Sequence, residues 1–500
     1  MNQAAISKIV IVGGGTAGWM AAASLARVLD ANRISITLVE SESIGSVGVG
    51  EATIPPILKF NELLGINEQE FMKATKATFK LGIEFSDWGD VGQKYIHPFG
   101  DFGTDIEGIP LHHFWLSQRQ RAGYQHSLFG FSLMVKACEL GRFKYPEYQN
   151  PKSVYSGIHY AYHFDAGLYA AFLRDYAEKI GVVRYEGIVG DVKLDSENGH
   201  VKSIVLDDHR EIDGELFIDC SGFRGMLIEG ALNTGYCDWS HMLPMDSAMA
   251  VPSEKVGDPI PYTKAIAHEA GWQWRIPLQH RTGNGCVYSS QFMSDNTARQ
   301  NLVSGLDGPA LVEPKKLQFK TGHRRKFWNK NVIALGLAAG FMEPLESTSI
   351  SLIQTGLARL MTLMPDKRFS EASRSAYNQR TLEEYEHIRD FLLLHYVASK
   401  RNDSEFWQYM RNLPVPASLQ EKISLYQDAG RILKFENGLF TPSSWLAVMH
   451  GQGIEVYGHD PITLRFTLEE TQSRLDGMRN LIDKAALAMP FHSEVLKQLY

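Results

Sequence analysis

The apolar pattern opens on Ile9-Val10-Ile11-Val12, a short continuous hydrophobic run of the kind a strand buried on both faces requires. An alanine-rich, helical stretch from Trp19 to Leu29 follows, and Ile34 to Val39 returns to a β-rich run ending at Glu40. Together these predict one strand–helix–strand unit. Asp165 stands where it can cap a helix running to about Lys179. Val182 to Tyr185 reads as β-rich, as do two stretches around Ser196-Glu197-Asn198-Gly199, where the Asn-Gly pair favours a hairpin. Leu216-Phe217-Ile218-Asp219 is again a buried strand, closed by Ser221-Gly222.

Other stretches break this alternation. Residues 101–151 are rich in Phe, Tyr, His and Gly without clean periodicity, and read as an insertion lining a pocket. Residues 245–320 read as a sheet: Trp272-Gln273-Trp274-Arg275-Ile276 alternates apolar and polar, Thr282-Gly283-Asn284-Gly285 predicts a turn, and Val287 to Phe292 resumes a strand. Val332 to Leu335 is a further buried strand ending in Gly336. Beyond Ser349 the pattern becomes helical, with Tyr385, Ile388, Leu392 and Tyr396 recurring at helical spacing. The expected fold class is α/β (α+β), with a strand–helix–strand unit and mixed sheet over residues 1–350 and a mainly helical subdomain over 351–500.

Composition narrows the function. The 500 residues exceed one ordinary domain, at roughly 150 residues each. With 50 basic against 57 acidic side chains, a net of −7, the surface has neither the basic excess of a nucleic-acid binder nor a polybasic membrane anchor. The four cysteines, Cys138, Cys220, Cys237 and Cys286, form no C-x-x-C pair. That argues against zinc and fits a reducing, cytoplasmic setting. Ile9 to Ala26 carries no charge, but Gly13, Gly14, Gly15 and Gly18 interrupt it. A strand, a glycine turn and a helix explain it better than a signal peptide or membrane anchor.

Gly13-Gly14-Gly15-Thr16-Ala17-Gly18 fits G-x-G-x-x-G directly after a strand and at the start of a helix. Gly13 permits a tight turn, Gly15 lets backbone approach a pyrophosphate, and Gly18 lets helix and strand pack closely. Helix-entry amides then meet the phosphate charge. Glu40, about 20 residues further on at the end of the next strand, can accept hydrogen bonds from both ribose hydroxyls and would repel a 2′-phosphate. The unit predicts FAD or NAD and disfavours NADP. The buried strands before Gly222 and Gly336 favour FAD, a cofactor held along its length.

Three further segments bring a family into view. Gly48-Val49-Gly50-Glu51-Ala52-Thr53-Ile54-Pro55, Trp272-Gln273-Trp274-Arg275-Ile276-Pro277 and Glu343-Pro344-Leu345-Glu346-Ser347-Thr348-Ser349-Ile350 together resemble the flavin-dependent tryptophan halogenases. The resemblance implies a flavin-monooxygenase-like FAD module joined to a mainly helical aromatic-substrate module. It implies FAD contacts at Gly13, Gly15, Thr16, Ala17, Gly18, Glu40, Ala52, Val189, Leu337 and Ile350. It also implies that reduced FAD, O2 and a halide, chloride or bromide, form hypohalous acid.

The remaining site residues follow from the same resemblance. Lys80, in Lys76-Ala77-Thr78-Phe79-Lys80-Leu81-Gly82, matches the catalytic-lysine segment. It would polarise hypohalous acid as an ammonium or form a haloamine as a neutral amine. From residues alone it reads as a solvated surface lysine. Glu346 would hold the electrophile and help remove the ring proton; from residues alone it reads as a helix-capping glutamate. Thr348 and Ser349 fall where backbone amides meet the halide. The second position is usually glycine, so Ser349 would be unfavourable if its φ had to be positive. Trp272 and Trp274 would face one side of a strand and wall the passage between flavin and substrate. His97-Pro98-Phe99-Gly100 resembles the segment whose His97 and Phe99 line the substrate pocket.

One departure changes the expected substrate. The tryptophan halogenases hold the amino-acid backbone with a tyrosine pair in the segment matching Phe440-Thr441-Pro442-Ser443-Ser444-Trp445, where this chain has Ser443-Ser444. A small indole-like aromatic is expected in place of free tryptophan. No NAD(P)H module is recognisable, so a separate flavin reductase is expected to supply reduced FAD, with no nucleic acid or membrane as partner; a homodimer is left open. A flavin monooxygenase that hydroxylates its substrate, or a non-catalytic flavin- or aromatic-binding protein, are the alternatives.

Overall fold

Val10, Ile11 and Val12 are at most 3% exposed, and their strand, Lys8–Val12, lies inside a parallel sheet. The computed structural model describes residues 5–44, 50–435 and 438–499. Gly48 and Val49, the start of one motif segment, lie outside them. The described chain is mixed α/β and divides into two compact units. The first comprises residues 1–77, 164–247 and 317–385; the second comprises 78–163, 248–316 and 386–500. The chain crosses between them several times, so neither unit follows a linear cut at residue 350.

In the first unit the sheet runs Trp328–Asn329, Val332–Ala334, Leu216–Asp219, Lys8–Val12, Ser35–Glu40, Val183–Glu186. All neighbours are parallel except the first pair. The helix after the glycine loop, Thr16–Val28, starts before Trp19 and packs against helices Ala166–Lys179 and Ser349–Thr362. Asp165 caps the former, its carboxylate accepting from the Gly167 and Leu168 amides. The Asn-Gly turn joins strands Val189–Leu194 and Val201–Leu206 as the pattern predicts.

In the second unit a sheet orders Ser247–Ser253, Thr282–Tyr288, Gly271–Pro277, Thr263–His268, Gly82–Ser86, Lys94–Pro98. Thr282 to Gly285 is strand here, correcting the predicted turn. The chain reverses earlier, where the Leu278 amide donates to the Arg281 carbonyl. Gly285 serves close approach: a Cβ there would lie 2.1 Å from the Trp274 ring. The strand also stops at Tyr288, before Phe292. Residues 101–151 contain helices Leu111–Ala122 and Leu133–Glu139. Residues 111 to 118 are all buried, which is why no one-sided periodicity showed. Tyr385, Ile388, Leu392 and Tyr396 are buried along the helix Glu371–Val397.

Candidate active site

The glycine loop is fixed by sterics. Gly13 has φ +110°, and a Cβ on it would sit 2.3 Å from the Cys220 carbonyl oxygen at the end of the neighbouring strand. A Cβ on Gly18 would lie 1.8 Å from the Gly13 carbonyl oxygen. Gly15 is the opposite case, with nothing within 4 Å of where its Cβ would be. It precedes helix Thr16–Val28 without a side-chain cap, so no capping side chain occupies the first-turn amides. That cradle fits the pyrophosphate of a dinucleotide. Gly336, at φ +61°, would put a Cβ 2.8 Å from that of Ala17. The turn Gly336–Ala338, with Leu337, is thereby set against the helix entry. Ala52 ends the strand Gly50–Ala52, Val189 opens the strand Val189–Leu194, and Ile350 is buried on Ser349–Thr362.

Glu40 has a partner the sequence did not reveal. Arg184 Nε donates to Glu40 Oε1 at 2.6 Å and its Nη2 to Glu186 at 2.6 Å. The parallel pairing of their strands sets Arg184 between the two glutamates. One Glu40 oxygen is therefore engaged, while the other lies against Gly14, where a Cβ would overlap it. Asp219, fully buried, accepts from the Ser221 amide and hydroxyl and from the Leu227 and Ile228 amides, at 2.6 to 3.0 Å. It locks the turn at the end of its strand.

In the segment from Glu343 to Ile350 the left-handed residue is Ser347, at φ +59°. Ser349 is the first residue of helix Ser349–Thr362, so its side chain meets no backbone penalty. Thr348 has φ −86°; its hydroxyl does not cap the helix and is buried without a partner. The hydroxyl and the uncapped amides fit a small anion. Glu346 lies in the turn Pro344–Glu346 ahead of the helix and is 1% exposed. It is a buried carboxyl just ahead of that helix.

The second unit carries the other predicted residues. Lys80 ends the short strand Thr78–Lys80 and is fully buried, its Nζ 5.2 Å from the Phe99 ring centroid. The surface reading is overturned. Hairpin closure brings the two residues together, with Gly82 paired to Pro98 and the Phe99 amide donating to the Leu81 carbonyl at 2.8 Å. His97 is buried, its ring 5.7 Å from Phe391, which in turn stacks on Phe440 at 3.8 Å and meets Trp445 edge-on at 4.8 Å. Trp272 and Trp274 are buried with ring centroids 6.0 Å apart, and the Trp274 indole N–H has no partner. Ser443 donates its hydroxyl to Asp101 at 2.5 Å.

The model of the tryptophan halogenase family matches residues 8–467. The chain belongs to this family. It is 37% identical over 483 residues to the tryptophan 6-halogenase SttH of Streptomyces toxytricini, covering 91% of this chain and 90% of that one. Among solved structures, the flavin-dependent halogenase Xcc4156 of Xanthomonas campestris superposes with a TM-score of 0.95 at 45% identity, over 99% of this chain and 98% of that one. BrvH, a flavin-dependent halogenase from Brevundimonas sp. BAL3, gives 0.95 at 44% identity over 99% of both. The protein is thus a flavin-dependent halogenase, an oxidoreductase using FAD with halide and O2 as co-substrates. Halogenases of this kind act on aromatic substrates and depend on a separate flavin reductase. These similarities do not favour the hydroxylase or the non-catalytic reading.

Several residues of this halogenase escaped the sequence reading. Phe391, Phe440 and Trp445 form an aromatic cluster with His97, yet Phe391 is only one more apolar position on a helix and the other two flank the serine pair. Glu51 keeps some accessible surface, yet burial, then the charge of nearby Asp165, pushes its carboxyl up to about 8. Among the described residues no helix is long and apolar enough to cross a membrane.

Proposed function

We propose that this halogenase transfers an electrophilic halogen from Lys80, assisted by Glu346, to an electron-rich, indole-like ring. The observation that carries the reading is the complete burial of Lys80 with its Nζ over the Phe99 ring. An ammonium is costly to remove from water and is rarely fully buried without a task. Reduced FAD, when bound, supplies hypohalous acid from O2 and halide. Gly13, Gly15, Thr16, Ala17, Gly18, Ala52, Val189, Leu337 and Ile350 hold the cofactor, and Glu40 the adenosine ribose with its unengaged oxygen. Thr348 and the helix-entry amides at Ser349 hold the halide. Trp272 and Trp274 keep the organic substrate from the flavin. His97 and Phe99 bind the ring with Phe391, Phe440 and Trp445. Lys80 donates a hydrogen bond to hypohalous acid or is itself halogenated, and Glu346 accepts the proton that leaves the halogenated ring carbon.

The same reading favours indole over tryptophan. A zwitterion needs groups that replace its hydration, and the Ser443 hydroxyl is engaged by Asp101. The first unit is taken as the FAD half and the second as the substrate half, so that the FAD module expected over residues 1–350 shares the stretches 78–163 and 248–316 with the substrate half. The reductase acts in the cytoplasm through transient encounters, and the enzyme is compatible with a homodimer. The test supplies reduced FAD, air and bromide, first with indole and then with tryptophan. The expectation is monobrominated indole at higher kcat/KM, with Lys80→Ala still consuming oxygen but forming no enzyme-directed product. A preference for tryptophan refutes the substrate assignment; wild-type product formation by Lys80→Ala refutes the role of Lys80.

A further inference from the structure

The strand that carries Lys80 is held by a histidine no motif singles out. Thr78 pairs with His163 across the antiparallel bridge to strand Ala161–Asp165, and both side chains are 0% exposed. Thr78 Oγ1 lies 2.7 Å from the Pro277 carbonyl oxygen and 3.0 Å from His163 Nδ1. A carbonyl only accepts, so the single hydroxyl proton of Thr78 goes to Pro277, and His163 must carry its proton on Nδ1 and donate to Thr78. His163 Nε2 lies 2.9 Å from Thr263 Oγ1 and, in the neutral ring, accepts from that hydroxyl. Thr263 opens the strand paired in parallel with Gly82–Ser86, the element following Lys80. One imidazole thus joins the strand before Lys80 to the sheet after it.

We propose that His163 is a positioning residue for Lys80: held as one neutral tautomer between Thr78 and Thr263, it fixes the short strand from which the lysine reaches the substrate. The inference rests on the role of Lys80 proposed above. A three-residue strand, Thr78–Lys80, has little pairing of its own to resist tilting. A second histidine works alongside. His492 Nδ1 donates to the Pro259 carbonyl at 2.7 Å, leaving Nε2 to accept the Phe79 amide at 3.2 Å. The residue before Lys80 is thus held by a side chain 413 positions away. Burial first, then the Lys80 charge and His492, holds the His163 pKa well below the ordinary histidine value. The ring therefore adds no second positive charge beside the ammonium. A positioning role shows as misdirected oxidant, since an angstrom of displacement can cost about a hundredfold in a reaction step.

The test measures two outputs of the FAD-loaded enzyme at fixed bromide: brominated indole, and hypobromous acid escaping to a 1,3-diketone scavenger. His163→Phe keeps an aromatic ring and removes both hydrogen bonds. It should lower product formation about tenfold or more, with oxidant reaching the scavenger in its place, FAD affinity unchanged, and KM for indole moved less than kcat. His163→Asn, whose amide N–H can replace Nδ1–H towards Thr78, should recover part of the transfer. Thr78→Val and Thr263→Val, nearly isosteric, test the same link should the Phe variant not fold. Wild-type partition in the threonine variants or in a folded Phe variant overturns the proposal, as does an equal loss of product and total oxidant. Lys80→Ala run in parallel separates the levels. If it still halogenates, the role of Lys80 fails; if it does not while the His163 and threonine variants behave as wild type, only the present inference fails.

Discussion

Lowering the pH from 7 to 5 should remove about 5 kcal/mol of stability from the unit that carries Lys80. The cause is a set of neutral histidines, two buried and His450 half-buried. His112 donates from Nε2 to the Gly430 carbonyl at 2.9 Å; burial, then neighbouring His113, lowers its pKa to about 3. His450 meets the Trp115 ring edge-on at 5.0 Å and lies 5.3 Å from Phe129; burial, then Arg119, lowers it to about 4. Burial lowers His492 to about 4 as well. Unfolded, each returns to about 6.5. Each therefore takes up a proton only on unfolding. Its contribution is fully present above about pH 6.5 and lost as pH falls towards the folded values of about 3 to 4. Integrated from pH 7 to 5, one such histidine removes about 1.8 kcal/mol and three about 5, against a typical total of about 5 to 15 kcal/mol. His163 acts in the same direction. The assay is urea unfolding at pH 7, 6 and 5, comparing midpoints at constant m. His450→Phe, which retains a ring between Trp115 and Phe129, should remove about 1.8 kcal/mol of the pH dependence. Midpoints that do not move between pH 7 and 5, or an unchanged dependence in His450→Phe, refute the reasoning.

Three other outcomes follow from the sites described. Gly15→Val should fold normally, because its Cβ meets nothing, yet lose FAD affinity at least a hundredfold by equilibrium fluorescence; ordinary affinity would misplace the pyrophosphate. Asp219→Asn replaces one acceptor oxygen with an NH2 that faces two of the four donors and should destabilise the protein by about 3 kcal/mol, read as a lower urea midpoint; an unchanged midpoint shows that the turn does not depend on the carboxylate. Lys80→Arg should not restore halogenation, because a permanently charged guanidinium cannot become a haloamine; restored product would assign Lys80 to hydrogen-bond activation alone.

The first unit was legible because its signals are local. A buried strand, a glycine turn and a helix are encoded within a few consecutive residues, and the clashes met by a Cβ at Gly13 and Gly18 explain why those positions are glycine. The same logic misled at Thr282-Gly283-Asn284-Gly285. Turn-forming residues there mark room for the Trp274 indole across the strand pair, and only the partner strand reveals that use. The partner of Glu40 was hidden for a related reason. Arg184 belongs to a strand that reaches Glu40 through parallel pairing, a register the intervening helices do not disclose.

The second unit shows what a motif can and cannot carry. The segment around Lys80 named the residue type, while its composition fitted a solvated surface equally well. What distinguishes the two is burial, and burial here comes from far-off chain: Ala161 to His163 beside the strand, Phe143 stacked on Phe79 at 4.0 Å, His492 on the Phe79 amide, and the Leu81 amide on the Pro261 carbonyl. None of these partners is itself reactive, and each satisfies a backbone or ring contact that a three-residue strand could not satisfy alone. The same dependence bears on substrate choice. The serine pair looked like a simple loss of tyrosine contacts, but Ser443 donates its hydroxyl to Asp101, a residue 342 positions away. A hydroxyl held there is less available to replace the hydration of an amino acid's charged groups, which is the ground of the proposed preference for indole, and the residue that holds it stands in no motif.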